Sequence, residues 1–300
     1  MPEGWGSVPP MPDDERRDQV ADTERWEGPR VRRWLAQAEA LDRQLAPVTE
    51  LLFEAAALQP GERVLDVGCG SGPTTRQAAV AVGSDGAVVG LDVSPAMLEA
   101  AASAPVPPGS APIEWLEADV ARWSPSGPPV DVVISRFGVM FFDDPAAAFA
   151  ALATATRPGG RLAATTWDRR DRSAVFQVPL EAVTAALRAL GRDPVAPPLD
   201  QGAFSLHDPE PVTALLTGAG WVDVAVEPIP VRLRLGGGVG PDAAATALDL
   251  GPSRVVTEGI DPTTRDRVRA ALAAALAEHV DAAGHVVLGA SVVRITARRP

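Results

Sequence analysis

The chain has no lysine, asparagine or tyrosine, and a single cysteine in 300 residues. With Cys69 alone, an internal disulfide and a cysteine-rich zinc site are excluded. No other metal-ligand spacing occurs, so a metal-free mechanism is expected. Positive charge is scarce too: 27 basic residues, all arginine, stand against 39 acidic ones, a formal net charge of −12. Such a chain repels nucleic-acid phosphates and anionic membrane surfaces unless its arginines gather in a patch, and no patch of useful size occurs. No run reaches the length of a membrane span, and the opening M-P-E-G-W-G lacks the basic and apolar regions of a signal peptide. The expectation is a cytoplasmic enzyme with a small-molecule partner, and with neither nucleic acid nor membrane. The missing residue types all need A/T-rich codons, which speaks of the gene rather than of chemistry.

What is present centres on Val64 to Gly72, V-L-D-V-G-C-G-S-G. An apolar strand ends with Asp66 and enters a turn with Gly68, Gly70 and Gly72, before Pro73, Thr74 and Thr75 open a helix. Glycines so spaced allow a tight bend and direct contact between a ligand and the main chain. A dinucleotide loop would need its third glycine where Pro73 stands, and Asp66 would repel a pyrophosphate. A ligand with cationic groups suits the acidic turn better, and S-adenosylmethionine carries a sulfonium and an ammonium.

Further strands follow. Ala87–Asp92 ends in an acid about 20 positions after the turn, where a carboxylate can hold ribose hydroxyls. Ser94 and Pro95 signal a helix start, with Met97 behind them. Trp115 to Val120 reads as a third strand entering an acidic loop, where Asp119 could accept from an adenine amino group. Val130–Arg136 is a fourth strand, and Arg157 to Trp167 a turn feeding a fifth. Strands alternating with helices imply a parallel sheet covered on both faces, with ligands outside the strands' carboxyl ends. Asp66, Asp92, Asp119 and Arg136 all fall at that edge.

The ordered set V-L-D-V-G-C-G-S-G, G-L-D-V-S-P-A-M-L, E-A-D-V, S-R-F-G-V-M-F-F-D-D-P and R-P-G-G-R-L resembles class I S-adenosylmethionine-dependent methyltransferases, nearest to the ubiquinone/menaquinone-type small-molecule branch that includes natural-product enzymes. The resemblance implies an α/β, Rossmann-like, doubly wound sheet of seven strands with the last antiparallel, plus N-terminal helices and a helical cap. It implies S-adenosylmethionine as cofactor and S-adenosylhomocysteine as product. The cofactor would meet Asp66, Gly68, Cys69, Gly70, Gly72, Thr74, Thr75, Asp92, Val93, Met97, Ala118, Asp119, Val120, Ser135 and Arg136. The resemblance allows a homodimer.

Residues 1–27, rich in Pro, Gly, Asp and Glu, read as a mobile tail. One domain is expected over 28–300: lid helices at 28–59, a cofactor core at 60–167, and cap segments at 168–220 and 229–285. Val31, Trp34, Leu35, Ala38, Leu41 and Leu45 give the lid a helical stripe, and Val268, Leu272, Leu276 and Val280 give one to a helix after Pro262. Trp26 or Trp34 could close on the ligand, although packing explains Trp34 as well.

Methyl transfer needs alignment and exclusion of water more than it needs a base. His207 is the best candidate base, with a capping-region role as its rival; His279 and His285 read as packing and surface residues. Asp143 is a second catalytic candidate, and Asp144 reads as a helix N-cap. Arg136 could hold a carboxylate of cofactor or substrate, or pair with an acid such as Asp66 or Asp143. Arg136, Phe137, Met140, Phe141, Trp167 and Phe204 are expected around the substrate, a largely apolar molecule methylated on oxygen, carbon or nitrogen, with oxygen slightly favoured. Two rival readings stay open: a non-methylating enzyme, such as a cyclase, that keeps the cofactor, and a non-catalytic partner protein.

Overall fold

The computed structural model describes residue 26 and residues 28–197, 199–200, 202–237, 240–249 and 251–300. The tail expected over 1–27 lies outside these residues, apart from Trp26.

Three short helices come first: α1 (Gly28–Ala36), α2 (Ala38–Gln44) and α3 (Ala46–Ala56). Pro47 sits in the first turn of α3, where its missing N–H removes no helical bond. The apolar stripe therefore spans two helices that break at Gln37 and Leu45. Next come β1 (Arg63–Val67), α4 (Pro73–Val82), β2 (Ala87–Asp92), α5 (Pro95–Ser103), β3 (Ile113–Glu117), β4 (Val130–Arg136), α6 (Pro145–Ala155) and β5 (Thr156–Trp167). The valine-rich centres of β1 and β4 are buried on both faces, as strands under two helical layers must be.

The chain continues through α7 (Ala174–Ala189), α8 (Pro209–Gly218), β6 (Val222–Arg234), α9 (Gly240–Asp249), α10 (Gly251–Val256), α11 (Pro262–Leu276) and β7 (Val287–Arg298). The sheet has seven strands in the order β3-β2-β1-β4-β5-β7-β6. Its first five strands run parallel, and β7 lies antiparallel between β5 and β6. This is the expected doubly wound sheet with an antiparallel last strand. Asp-Pro pairs start α6, α8 and α11: Asp144, Asp208 and Asp261 each accept a backbone N–H of the following turn.

The expected cap boundaries need two corrections. Helix α8 packs on β6 and α6, and Trp221 just after it donates its indole N–H to the Phe149 carbonyl at 3.0 Å, so residues 208–220 belong to the sheet layers. Strand β6 continues to Arg234, so the second cap stretch begins after residue 234 rather than at 229. The helices left outside the sheet layers, where the cap is expected, are α7, α9, α10 and α11. Val268, Leu272 and Leu276 are buried on α11 as the stripe implies, but α11 ends at Leu276 and Val280 is 45% exposed, bridging to Val286 instead. Among the described residues no helix is long and apolar enough to cross a membrane.

Candidate functional site

A cavity of about 610 Å³ opens above the carboxyl ends of β1, β2, β4 and β5, with α1 and α2 on one side and the cap on the other. The glycine turn forms its floor. The turn hangs from the end of β2, where the Leu91 carbonyl accepts the N–H groups of Gly68 and Cys69 at 2.8 and 3.1 Å.

Two of the three glycines make room for protein rather than ligand. A Cβ on Gly68 would lie 2.6 Å from the Gly138 Cα, so the loops after β1 and β4 touch backbone to backbone. A Cβ on Gly72 would lie 2.5 Å from the Trp115 ring, which also covers Gly90. Only Gly70 has open space there, and its left-handed φ of 56° accounts for the residue. Ser135 ties the same loops together: its hydroxyl donates to the Val67 carbonyl and accepts from the N–H groups of Gly138 and Val139.

Asp66 is fully buried, and its Oδ2 accepts both threonine hydroxyls, Thr74 and Thr75, at 2.7 Å. It holds the start of α4 in place. Its Oδ1 is buried with no partner among the described residues. Burial pushes the Asp66 carboxyl up, against the threonine hydrogen bonds and the Arg136 charge that pull it down. Asp92 does line the cavity; its oxygens accept the N–H groups of Gly70 at 2.8 Å and Ser94 at 2.9 Å, and burial raises its pKa as well. Burial also pushes the Cys69 thiol well up, which keeps it protonated.

The N-terminal segment, where the lid is expected, is tied to the sheet loops at two points. Ser94 caps no backbone group of α5; its hydroxyl donates to the Trp26 carbonyl at 2.7 Å. Trp26 in turn meets Trp34 and Phe141 edge to face, and all three rings line the cavity. Arg136 donates from Nη1 to Asp42 at 2.8 Å and to the Thr49 hydroxyl. The ion pair expected with Asp66 or Asp143 is thus made with Asp42 instead, 94 residues away in sequence.

Of the expected contact residues, Gly68, Cys69, Gly70, Thr74, Asp92, Val93, Met97, Arg136, Phe137, Met140, Phe141, Trp167 and Phe204 line this one cavity. Asp66, Gly72, Thr75 and Ser135 stand behind its wall as struts. Ala118, Asp119 and Val120 do not line it; Asp119 accepts the Ala121 N–H and faces Arg122. The two catalytic candidates also fall outside. His207 spends Nδ1 on the Phe204 carbonyl at 2.8 Å, because the turn before α8 folds its ring back onto the loop. Asp143 is exposed, one residue before the α6 N-cap.

Phe137 is the strained residue of the site. It has a left-handed φ of 66°, its N–H donates to the Thr165 carbonyl, and its ring stacks on Trp167 with centroids 4.2 Å apart. A bulky side chain in that region costs about 1–3 kcal/mol and persists only where its surroundings fix it. Sequence reasoning missed Asp42, Gln44, Val175, Phe176, Thr246 and Ser253 on the cavity wall. The helical period of the cap placed its buried face, but no local pattern told which polar residues look inward.

Residues 64–160 match a family model described as a methyltransferase domain. This stretch is a methyltransferase domain. Over 155 residues the chain is 36% identical to a trans-aconitate 2-methyltransferase of Klebsiella pneumoniae, covering 51% of this chain and 57% of that protein. Over 259 residues it is 29% identical to the nocamycin O-methyltransferase of Saccharothrix syringae, covering 84% of this chain and 90% of that one. The chain thus matches little more than half the length of the Klebsiella relative. The solved structure of a Bacillus halodurans methyltransferase candidate superposes with a TM-score of 0.51 at 16% identity, over 84% of this chain and 98% of that one, which shows the shared fold. The methyltransferase domain fits its family's cofactor on its own geometry. The orphaned Asp66 Oδ1 leaves negative potential unanswered behind the turn, and the open side of Gly70 next to Asp92 is a place for a ligand with cationic groups. Among the described residues no group of three or more His, Cys, Asp or Glu could hold a metal ion.

Proposed function

We propose that the chain is an enzyme that transfers a methyl group from S-adenosylmethionine to an oxygen of a small, largely apolar organic acceptor. One observation carries this reading: a single cavity joins the glycine turn and Asp92 to a wall of aromatic rings. The relative matched along most of both chains is named an O-methyltransferase, which supports oxygen as the methylated atom and a natural product as the acceptor.

The cofactor, when bound, supplies a methyl group on a positively charged sulfur. Gly68, Cys69, Gly70 and Asp92 would hold it, with Val93 and Met97 against its apolar parts and Asp66 acting from behind. Trp26, Trp34 and Phe141 close the mouth above and exclude water. Phe137, Trp167, Phe176 and Phe204, packed face to face and edge to face on one another, form the apolar wall that orients the acceptor. No histidine lines the cavity among the described residues, and the Cys69 thiol is held protonated. Asp42 is engaged with Arg136 and Asp249 with Arg265. This set of partners favours an acceptor that arrives as its own oxyanion, such as a carboxylate, an acidic phenol or an enol.

The test is incubation of the full chain with methyl-labelled S-adenosylmethionine and a panel of carboxylic acids and acidic phenols. A mass gain of one methyl group with one S-adenosylhomocysteine per turnover supports the reading. Turnover without S-adenosylhomocysteine points to a non-methylating reaction. Tight NADH binding without S-adenosylhomocysteine binding overturns the cofactor assignment.

A further inference from the structure

Gln44 ends α2 and is 7% exposed, although glutamine belongs mostly on the surface. The fold accounts for half of its amide. Oε1 accepts the N–H of Gly236 at 3.0 Å, in the turn between β6 and α9. Helix α2 packs on this turn and on β6, and Gly236 has a left-handed φ of 68° there. A backbone N–H can be met only by the amide oxygen, so this bond decides which way the amide faces. The other half has no account within the fold. Nε2 makes no hydrogen bond among the described residues, it is not sealed from the surface, and Gln44 lines the cavity. A buried donor left unmade is unfavourable, and native structures rarely keep one without a reason. With Oε1 held, Nε2 is a fixed donor at the cavity wall.

The sheet order says which ligand this donor meets. Gly236 follows β6, the edge strand, whereas the glycine turn follows β1, four places away, and Asp92 ends β2, five places away. At the usual strand spacing the two turns stand on the order of 20 Å apart across the sheet. Gln44 is therefore fixed to the half of the cavity far from the cofactor turn. Its neighbours along the chain and the turn, Leu41, Leu45 and Leu235, line the same cavity and are apolar. Asp42, also on α2, is paired with Arg136. What this corner offers a ligand is a neutral N–H donor among leucines, which suits an uncharged oxygen.

We infer that Gln44 is a specificity-determining residue whose Nε2 donates to an uncharged carbonyl oxygen of the acceptor. The word acceptor rests on the methyltransferase reading; the preference for a carbonyl does not. The carbonyl is a second feature of that molecule, apart from the ionised oxygen that takes the methyl group.

2-Acetylnaphthalene, 2-isopropylnaphthalene and 2-naphthoate test this, because they share one ring frame and end in a ketone, its hydrocarbon counterpart and a carboxylate. Each is titrated by calorimetry into the full chain, with and without saturating S-adenosylhomocysteine. Wild type is expected to bind the ketone about tenfold tighter than the hydrocarbon, at every pH. Gln44→Met should bring the two within about twofold, and it should lower thermal stability because the Gly236 N–H loses its acceptor. Gln44→Glu keeps an oxygen for Gly236 and can donate only while its carboxyl is protonated. Its preference for the ketone should match wild type at low pH and vanish as the carboxyl ionises. Arg33, Asp42, Asp92, Arg136, Asp249 and Arg254 also line the cavity, but they are common to both proteins and cancel in the comparison. A role confined to holding Gly236 would change stability and leave no such pH dependence. Should one variant fail to fold, the other still reads the donor. Equal affinities for ketone and hydrocarbon in wild type, tighter binding of 2-naphthoate than of the ketone, a preference unaltered by both substitutions, or no binding of any probe overturns the inference. Failure of S-adenosylhomocysteine to bind would instead strike the proposed function, since titration of the unloaded chain still reads Gln44.

Discussion

The floor and the cap wall of the cavity are built on opposite plans. On the floor, hydrogen bonds within the protein occupy the polar groups apart from Asp66 Oδ1: Asp92 on Gly70 and Ser94, Ser135 on three backbone groups, and Asp66 Oδ2 on two threonines. On the cap wall the lining is mostly apolar, with Thr246 and Ser253 among its few polar residues. A floor whose polar groups are already held can shift little, which suits a ligand common to a whole family. A wall of rings with few polar groups can change its preference through a few substitutions, which suits a variable acceptor.

The largest effect is expected where the floor touches itself. Gly68→Ala places a Cβ 2.6 Å from the Gly138 Cα, in a left-handed conformation that a side chain resists, and backbone stands on both sides. Urea unfolding should show a loss of about 3 kcal/mol or more, with S-adenosylhomocysteine binding abolished. Gly70→Ala meets no atom within 4 Å, so only the strain remains and the loss should be about 1–2 kcal/mol. Equal losses at the two positions would mean that the loop contact after β1 and β4 matters less than the turn itself.

Next in size is the acidic pair. Asp92→Asn should weaken S-adenosylmethionine binding by tenfold or more in calorimetry, on the order of 1.4 kcal/mol or above. Burial raises the carboxyl in the free protein, and a cationic ligand prefers it ionised. Affinity should therefore be full above that raised pKa and fall as the pH drops through it. Asp66→Asn separates binding from folding. A carboxyl whose folded pKa is raised opposes folding above that pKa and has no effect below its ordinary value of 3.8. The variant should hold its stability at neutral pH while binding the cofactor more weakly, and any stability advantage should shrink on acidification. A cofactor affinity indifferent to both changes would break the contrast between a charged floor and a neutral cap.

How legible each wall was in the sequence follows from the distance between partners. The floor is one local pattern: strand, glycine turn and helix start lie within Val64 to Thr75, so spacing alone placed Asp66 next to the α4 threonines. Asp92 followed from its place at the next strand end. The Gly68–Gly138 contact, the Trp115 ring over Gly72 and the Asp42–Arg136 bridge join residues far apart, and no period in the chain links them. Thr246 and Ser253 sit on short cap helices where a threonine or serine looks like any other surface residue. Asp119 is a strand-end acid too, yet it lies off the cavity lining and its Oδ1 accepts the Ala121 N–H of its own turn.

A smaller effect should come from the lid. Arg136 is 10% exposed in its side chain and Asp42 36%, so the bridge is partly screened. Asp42→Ala leaves Arg136 its bond to Thr49, and a loss of about threefold to tenfold in cofactor affinity is expected, with fluorescence from Trp26 and Trp34 reporting a looser lid. An unchanged affinity would make the bridge a fastening of the N-terminal helices with no bearing on the cavity.

The smallest effect is expected at His207. Its place before α8 suggested a base in the cleft, yet its ring lies outside the cavity wall and its Nδ1 already donates to the Phe204 carbonyl. His207→Gln can keep that bond through the side-chain amide, so kcat should stay within about twofold of wild type across the pH range. A drop of a hundredfold with the loss of an acidic limb in the pH profile would restore His207 as the base, and would require the loop from Phe204 to Asp208 to turn inward once the acceptor is bound. Without such a drop, the acceptor's own acidity is what sets the pH dependence of transfer. The acidic limb should then move with the pKa of each acceptor in a series of substituted phenols, and substitutions at His207 should leave it where it is.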